Sequence, residues 1–315
     1  MKLLDPAATK AALPYPELIE ALRDAFRSPC VMPVRHHHDM EVPGESDATL
    51  LLMPAWLPGE YYGVKIASVH PGNAERGLPA VAANYLLSNA VTGKALALID
   101  GGELTARRTA AASALASSYL SRKDSKTHLI VGTGRLSYEL ACAHAAIRPI
   151  EKFLVWGRST QKAQAICERI TADLGVEALP VSDLQAACLQ ADIISAATLS
   201  HEPLILGEWL PEGCHVDLVG AFKPDMRESD NVAVRLATLF VDTRGGALKE
   251  AGDLAIPLQE GVITADDIIA DLYDLTKGTH SGRASDTEIT LFKSVGAALE
   301  DLAGAVLAYK QVEND

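Results

Sequence analysis

The segment that most constrains the fold is a short apolar run followed by closely spaced glycines. The run His128–Val131 leads into Gly132-Thr133-Gly134, and a helical pattern follows through Leu136 and Ser137. A strand, a glycine turn and a helix in this order form the first unit of a dinucleotide-binding fold. The first glycine permits a tight turn, and the second lets the backbone approach a pyrophosphate. We therefore predict that this segment, with Ser137 in place of a third glycine, binds a dinucleotide at the helix N terminus.

The end of the next apolar run indicates which nicotinamide cofactor is bound. The run Lys152–Trp156 is followed, after a glycine, by Arg158, Ser159 and Thr160, with no carboxylate. Enzymes that use NAD usually place Asp or Glu there, to accept hydrogen bonds from the ribose 2′-hydroxyl. A guanidinium and two hydroxyls suit a 2′-phosphate, so we predict NADP as the cofactor. The alternative is that Arg158 is a solvated surface charge and that the cofactor is NAD.

Net charge and composition limit which partners the protein is expected to bind and in which compartment it is expected to lie. The chain of 315 residues has a net charge of −13, which argues against a nucleic-acid partner because no basic surface would neutralise phosphates. The 5 cysteines are scattered without a CxxC pair, and three adjacent histidines at 36–38 point to opposite faces of a strand, so no metal site is expected. The N terminus lacks the apolar core of a signal peptide, and no apolar run is long enough to span a membrane. We expect a cytoplasmic protein without a membrane partner.

Hydrophobic periodicity divides the chain into two regions. Before residue 100, short strands separated by Pro and Gly turns indicate an antiparallel or mixed sheet. After residue 126, strands alternate with helices, including a helix predicted near Ala265–Leu272, which is typical of a parallel α/β sheet. We predict an α/β protein with a Rossmann NAD(P)-binding domain at 122–283. An α+β substrate-binding and dimerisation domain is predicted at 1–121, to which residues 284–315 return.

Three cations occupy positions where charge is costly to bury. Arg35 follows Met-Pro-Val, Lys65 lies inside an apolar strand, and Arg108 lies on an alanine-rich helix. Burying each of these charges costs free energy unless an anion pairs with it. A substrate carboxylate would serve all three, with the arginines binding it in bidentate fashion. The alternative is that each cation pairs with an internal Asp or Glu, or extends to water.

Motifs along nearly the whole chain resemble the ornithine cyclodeaminase/mu-crystallin family. They read GVKIASVHPGN, GLPAVAANYLLSNAVTGKALALIDGGELTARRTAA, VGTGRLS, VGAFKPDMRE and GRASDTEITLFKSVGAALEDL. The resemblance implies a substrate domain built from both termini, a central Rossmann domain, and homodimers that join their sheets in a barrel-like interface. It also implies nicotinamide-dependent chemistry on amines and imines, namely ornithine cyclisation, alanine dehydrogenation or cyclic ketimine reduction.

The resemblance assigns roles to particular residues. It matches Arg35, Lys65 and Arg108 to the cations that bind the substrate carboxylate, with Lys65 a possible proton donor. The glycine loop matches as well. Outside the loop, the resemblance places Thr109 at the pyrophosphate, and Ala197, Thr198, Val219 and Gly220 along the cofactor.

Two positions depart from the ornithine cyclodeaminase pattern. Phe222 stands where those enzymes carry an Asp, and Leu51 stands where they carry a Glu that handles the amino groups of ornithine. Arg158 also replaces the acid expected of enzymes that retain NAD. The resemblance therefore favours an NADPH-dependent reductase of a small 2-carboxylate imine, such as a cyclic ketimine. The alternatives are an ornithine cyclodeaminase that recycles NAD, and a non-catalytic protein that binds NADPH and a small ligand.

Overall fold

The computed structural model describes residues 1–313. The strands are β1 (Lys2–Leu4), β2 (His36–Met40), β3 (Ala48–Leu57), β4 (Tyr61–Val69), β5 (Val81–Asn89), β6 (Ala95–Asp100), β7 (Thr127–Val131), β8 (Lys152–Trp156), β9 (Glu177–Val181), β10 (Ile193–Ala196), β11 (His215–Leu218), β12 (Thr238–Val241), β13 (Ile268–Asp271) and β14 (Thr290–Lys293). The helices are α1 (Pro6–Ala11), α2 (Tyr15–Arg27), α3 (Gly101–Leu120), α4 (Arg135–Ala145), α5 (Thr160–Leu174), α6 (Leu184–Cys188), α7 (Asn231–Leu236), α8 (Arg244–Glu250), α9 (Gly252–Gln259), α10 (Leu272–Lys277) and α11 (Ala298–Glu313).

The chain divides into two compact units. The first comprises Met1–Arg108 and the segment from Ala298 onward, and the second comprises Thr109–Ala297. Each unit contains its own β-sheet, and the α/β fold class predicted from the sequence is confirmed. The boundaries proposed near residues 121 and 283 stay a prediction of the domain organisation.

The first unit, here called the terminal unit, is a six-stranded sheet in the order β1-β6-β5-β4-β3-β2. Strands β2 to β6 pair antiparallel with their neighbours, as the Pro and Gly turns predicted, and β1 joins β6 in parallel. Helix α11 packs across β3, β4 and β5, and α2 packs against α11. The face beneath α11 carries Met53, Lys65 and Tyr85, which lie opposite one another in register. A lysine thus sits in the interior of this unit.

The second unit, here called the Rossmann unit, is an eight-stranded sheet in the order β13-β12-β14-β11-β10-β7-β8-β9. All of its paired strands are parallel. Strand β7 contributes Leu129–Val131 to the core with no solvent exposure, as expected of a strand covered on both faces. Because the strands are parallel, the turns that follow β7, β8 and β10 meet at one edge of the sheet. Ligands of open α/β sheets bind at that edge.

The helix predicted near Ala265–Leu272 is wrong. Ala265–Asp267 forms a single 3₁₀ turn, Ile268–Asp271 is the strand β13, and a helix begins only at Leu272. Ile268 and Ala270 are buried whereas the residue between them is exposed, so the burial period is that of a strand. A short apolar run cannot be assigned to helix or strand by periodicity alone.

No helix within residues 1–313 is both long and apolar enough to cross a membrane.

Candidate active site

The glycine turn after β7 fits the phosphate-binding role predicted for it. Gly132 has a φ of +127°, and a Cβ at this position would lie 2.8 Å from the carbonyl oxygen of Ala197. Gly134 is the N-cap residue of α4 and brings no side chain to cap the helix, and a Cβ there would point into open space. The N–H groups of the first turn of α4 can therefore meet an anion at close range. The backbone of this turn leaves room for a pyrophosphate at the start of α4.

A cleft of about 500 Å³ opens at the edge of the Rossmann sheet where β7, β8 and β10 end. It is lined by Gly132, Thr133, Gly134, Trp156, Gly157, Arg158, Ser159, Lys162, Ala197, Thr198, Leu199, Ser200 and Leu204. Most of the residues predicted for the cofactor are therefore brought together. Those predicted for the cofactor but outside the lining are Thr109, Leu136, Ser137, Thr160, Val219 and Gly220.

Lys162 is a second cation in this cleft, which the sequence analysis missed. The hydroxyl oxygen of Ser159 caps α5 by accepting a hydrogen bond from the N–H of Lys162 at 3.3 Å. This cap places Lys162 in the first turn of α5, where its exposed side chain lines the cleft together with that of Arg158. The signal was available, because a lysine three residues after a capping serine lies in the first helical turn. An anion at this corner of the cleft would meet two cations and a helix N terminus.

In the terminal unit, two of the three predicted cations meet internal acids. The Nζ of Lys65 lies 2.8 Å from Oδ2 of Asp301, and Arg108 contacts Oε2 of Glu300 at 2.6 Å and Oδ1 of Asp301 at 2.8 Å. Lys65 and Arg108 are each 4% exposed, and both acids have no exposure. Pairing with internal acids was the alternative weighed from the sequence, and it holds for these two cations.

The third predicted cation, Arg35, also influences this cluster. Arg35 is half-buried, and its positive charge repels that of Lys65. Burial, together with repulsion from Arg108 and Arg35, lowers the pKa of Lys65 to about 8, although Asp301 opposes the shift. Burial alone would lower the pKa of Arg108, but Asp301 and Glu300 raise it above its usual value. Lys65 is therefore a buried ammonium group whose charged form is destabilised, and an added anion beside it would stabilise that form.

Glu300 and Asp301 were not identified from the sequence. They are adjacent acids in the first turn of α11, a helix whose following residues from Leu302 to Val306 are all buried. Acids on a buried helix are as costly as the cations were, and this was the available signal. The hydroxyl of Tyr85 is a further buried polar group near this cluster, and it has no hydrogen-bond partner within the described chain. Burial and Asp301 raise the pKa of Tyr85 well above its usual value.

The positions that depart from the cyclodeaminase pattern carry no acid in the folded chain. Leu51 pairs with Ala67 on the same face of the sheet as the neighbouring pair Met53–Lys65. Phe222 is exposed in the loop after β11.

The histidines at 36–38 lie on the exposed edge strand β2, and no group of three or more His, Cys, Asp or Glu residues in the described chain could hold a metal ion. All five cysteines are thiols.

Known proteins resemble this chain over its whole length. The sequence profile of the ornithine cyclodeaminase/mu-crystallin family matches residues 6–315. A Delta(1)-pyrroline-2-carboxylate reductase of Paracoccus denitrificans is 42% identical, covering 92% of this chain and 90% of its own. The structure of the Thermococcus litoralis Delta(1)-pyrroline-2-carboxylate reductase with NADH and L-proline has a TM-score of 0.93 at 38% identity, covering 100% of this chain and 98% of its own. An archaeal alanine dehydrogenase dimer with bound NAD has a TM-score of 0.90 at 29% identity, covering 100% and 97%.

Proposed function

Because the chain belongs to the ornithine cyclodeaminase/mu-crystallin family, we propose that it is an NAD(P)H-dependent reductase of a small 2-carboxylate imine. The substrate class is a cyclic ketimine such as 1-pyrroline-2-carboxylate or 1-piperideine-2-carboxylate. Relatives named as reductases of the first compound support this proposal. The observation in this chain that carries it is the buried cluster of Lys65, Arg108, Glu300 and Asp301, in which the pKa of Lys65 is lowered to about 8, because a substrate carboxylate would stabilise the charged form of that lysine.

Each cation has a part in the proposed reaction. Arg35 and Arg108 hold the substrate carboxylate, which fixes the imine in one orientation. The ammonium group of Lys65 donates a proton to the imine nitrogen, and a pKa of about 8 keeps it protonated at pH 7. Asp301 orients Lys65 through their contact at 2.8 Å. When bound, the nicotinamide cofactor supplies the hydride that reduces the imine carbon. Together the proton and the hydride convert the imine to an amino acid.

We propose NADPH rather than NADH as the reductant, although the structures of relatives name NADH or NAD. Arg158 and Lys162, both in the cleft lining, support this choice because a 2′-phosphate would bring about two negative charges to them. Among the described residues that line the cleft, there is no Asp or Glu to accept hydrogen bonds from a free 2′-hydroxyl.

The test is a substrate screen at fixed NADPH. Each of the two cyclic imines, and pyruvate with an amine, is added to the purified protein, and the loss of NADPH absorbance is followed with the amino acid product quantified. Lys65→Met should abolish most of the turnover while NADPH still binds. Absence of NADPH oxidation with every imine would refute the proposal.

The alternatives give different products. Ammonia and proline from ornithine, with no net change in cofactor, would establish an ornithine cyclodeaminase. The non-polar residues Leu51 and Phe222 argue against it. Tight NADPH binding without turnover across imines and amino acids would identify a non-catalytic binding protein.

We also propose that the protein is a homodimer joined through the open face of the terminal sheet. That face, opposite the one that α11 covers, carries Leu3, Tyr62, Val64 and Ile66. Ile66 is 42% exposed on a central strand of the sheet. Apolar side chains exposed on one face of a sheet are the kind of surface that marks an interface, and the related alanine dehydrogenase is described as a dimer. Ile66→Lys should shift the mass measured by light scattering from dimer to monomer, and a monomeric wild type would refute the proposal.

A further inference from the structure

A fully buried ionic network connects two loops of the Rossmann unit. Lys293 on β14 lies with its Nζ 3.0 Å from Oδ2 of Asp253 and 3.9 Å from Oε2 of Glu228. The same ammonium group donates a hydrogen bond of 2.5 Å to the carbonyl oxygen of Gly220. Asp253 in turn accepts a hydrogen bond of 2.7 Å from the N–H of Glu228. None of the three charged side chains has any solvent exposure.

Glu228 links this network to the cofactor cleft. Its Oε1 accepts hydrogen bonds from the N–H of Thr198 at 2.6 Å and from the hydroxyl of Thr198 at 2.8 Å. Thr198 lines the cleft, and its carbonyl oxygen accepts a hydrogen bond of 3.1 Å from the N–H of Ala221. One carboxylate therefore fixes the loop after β10, and through Thr198 it also fixes the loop after β11.

The two loops are in tight contact at this point. A Cβ on Gly220 would lie 2.0 Å from the carbonyl oxygen of Thr198 and 2.5 Å from Oε1 of Glu228. The next residue, Ala221, has a φ of +44°, in the left-handed region that residues other than glycine rarely adopt. Strained backbone of this kind persists where surrounding contacts determine it, and such residues cluster at functional sites. Here the bonds from Lys293 and to Thr198 supply those contacts.

Stability alone is a poor explanation for this network. Three charges removed from water often contribute no more stability than apolar side chains of the same volume. With both carboxylates ionised, the network would also hold two negative charges against one cation. Burial raises the pKa of Glu228 to about 7, with Lys293 opposing and Asp253 adding to the shift. Perturbed acids beside a cleft are typical of functional sites.

We propose that Glu228, held in place by Asp253 and Lys293, is a positioning residue that sets Thr198 and the Gly220–Ala221 backbone for the nicotinamide cofactor. Glu228 has no exposure and acts through Thr198. What the site needs is an acceptor oxygen at the place of Oε1, and the negative charge is secondary. The inference rests on the cofactor assignment in the proposed function and is independent of the substrate.

Two variants separate acceptor position from charge. Glu228→Gln keeps an acceptor oxygen at the same reach and removes the charge. Glu228→Asp keeps the charge and withdraws the oxygens by one methylene. We expect the Kd for NADPH, measured by nicotinamide fluorescence on protein shown to be folded by circular dichroism, to stay within about twofold in the first and to rise at least about tenfold in the second.

The matched control is Ser195→Ala. It removes a fully buried hydrogen bond of 2.9 Å to Asp217 in the same sheet. It should lower the melting temperature without changing the Kd for NADPH. A purely structural role for Glu228 would give its variants the same pattern as this control.

An unchanged Kd in folded Glu228→Asp would overturn the inference. A loss of affinity in Glu228→Gln as large as that in Glu228→Asp would overturn it as well. If Glu228→Asp does not fold, hydrogen exchange in the wild type decides: NADPH should slow exchange in peptides covering 197–200 and 219–228, and no change in either peptide contradicts the proposal. Failure to reduce imines leaves these binding tests intact, whereas a wild type that binds no nicotinamide cofactor overturns both proposals.

Discussion

Replacing Arg158 with Asp should reverse the preference for NADPH over NADH. Arg158 follows β8, and Lys162 lies in the first turn of α5, so both side chains line the same part of the cleft. Both are exposed, so solvent screens their attraction for a phosphate. We therefore expect about 1 kcal/mol from each cation, which is roughly fivefold in affinity per cation and at least about tenfold for the two together.

The charge reversal acts on both cofactors in opposite directions. In Arg158→Asp the carboxylate repels the 2′-phosphate of NADPH and accepts a hydrogen bond from the 2′-hydroxyl of NADH. Lys162→Ala should reduce the preference about fivefold without reversing it. The measurement is a fluorescence titration of each protein with both cofactors at one fixed salt concentration, because salt screens these contacts.

A control variant separates the local effect from the change in net charge. Arg235→Asp makes the same substitution at an exposed position of α7 outside the cleft lining. It should leave both affinities within about twofold. A wild type that binds NADH as tightly as NADPH would refute the reasoning. Arg158 would then be a solvated surface charge, and NAD would be the cofactor.

Three further predictions concern buried ionisable side chains. Arg108→Met leaves Glu300 and Asp301 short of a cation and should lower the free energy of unfolding by about 3–5 kcal/mol. It should also raise KM for the imine, whereas the adjacent buried variant Arg107→Met should leave KM unchanged. Deprotonation of Lys65 should make kcat/KM fall about tenfold per pH unit above its pKa of about 8, and Lys65→Arg should remove this limb of the profile if activity persists. Burial lowers the pKa of His144 from 6.5 to about 4, so the unfolded chain binds more protons between these values and stability falls with falling pH. Urea unfolding at pH 5 and pH 7 should show that His144→Leu removes about 2 kcal/mol of this loss, and an equal pH dependence in both proteins would contradict it.

The cofactor turn was predictable because its causes are local. A tight turn after a buried strand needs glycine wherever φ is positive or another backbone approaches, as at Gly132. The strand, the turn and the helix cap are each encoded within a few neighbouring residues. Arg158 and Ser159 were found for the same reason, since only Gly157 separates them from β8. The antiparallel strands of the terminal unit were likewise bounded by local turn residues.

Partners that lie far apart in sequence were decided only by tertiary structure. Lys65 and Arg108 were identified as costly cations, but their partner Asp301 comes from the other end of the chain, and sequence spacing carries no information about that contact. The same holds for Lys293 and Glu228, which are 65 residues apart (293 − 228 = 65) and meet because parallel strands bring their ends to one edge of a sheet. The sequence determined by itself which residues are costly to bury, because that cost depends on residue type and local pattern. Folding decided which opposite charge meets each of them, because an ion pair depends on distance in space.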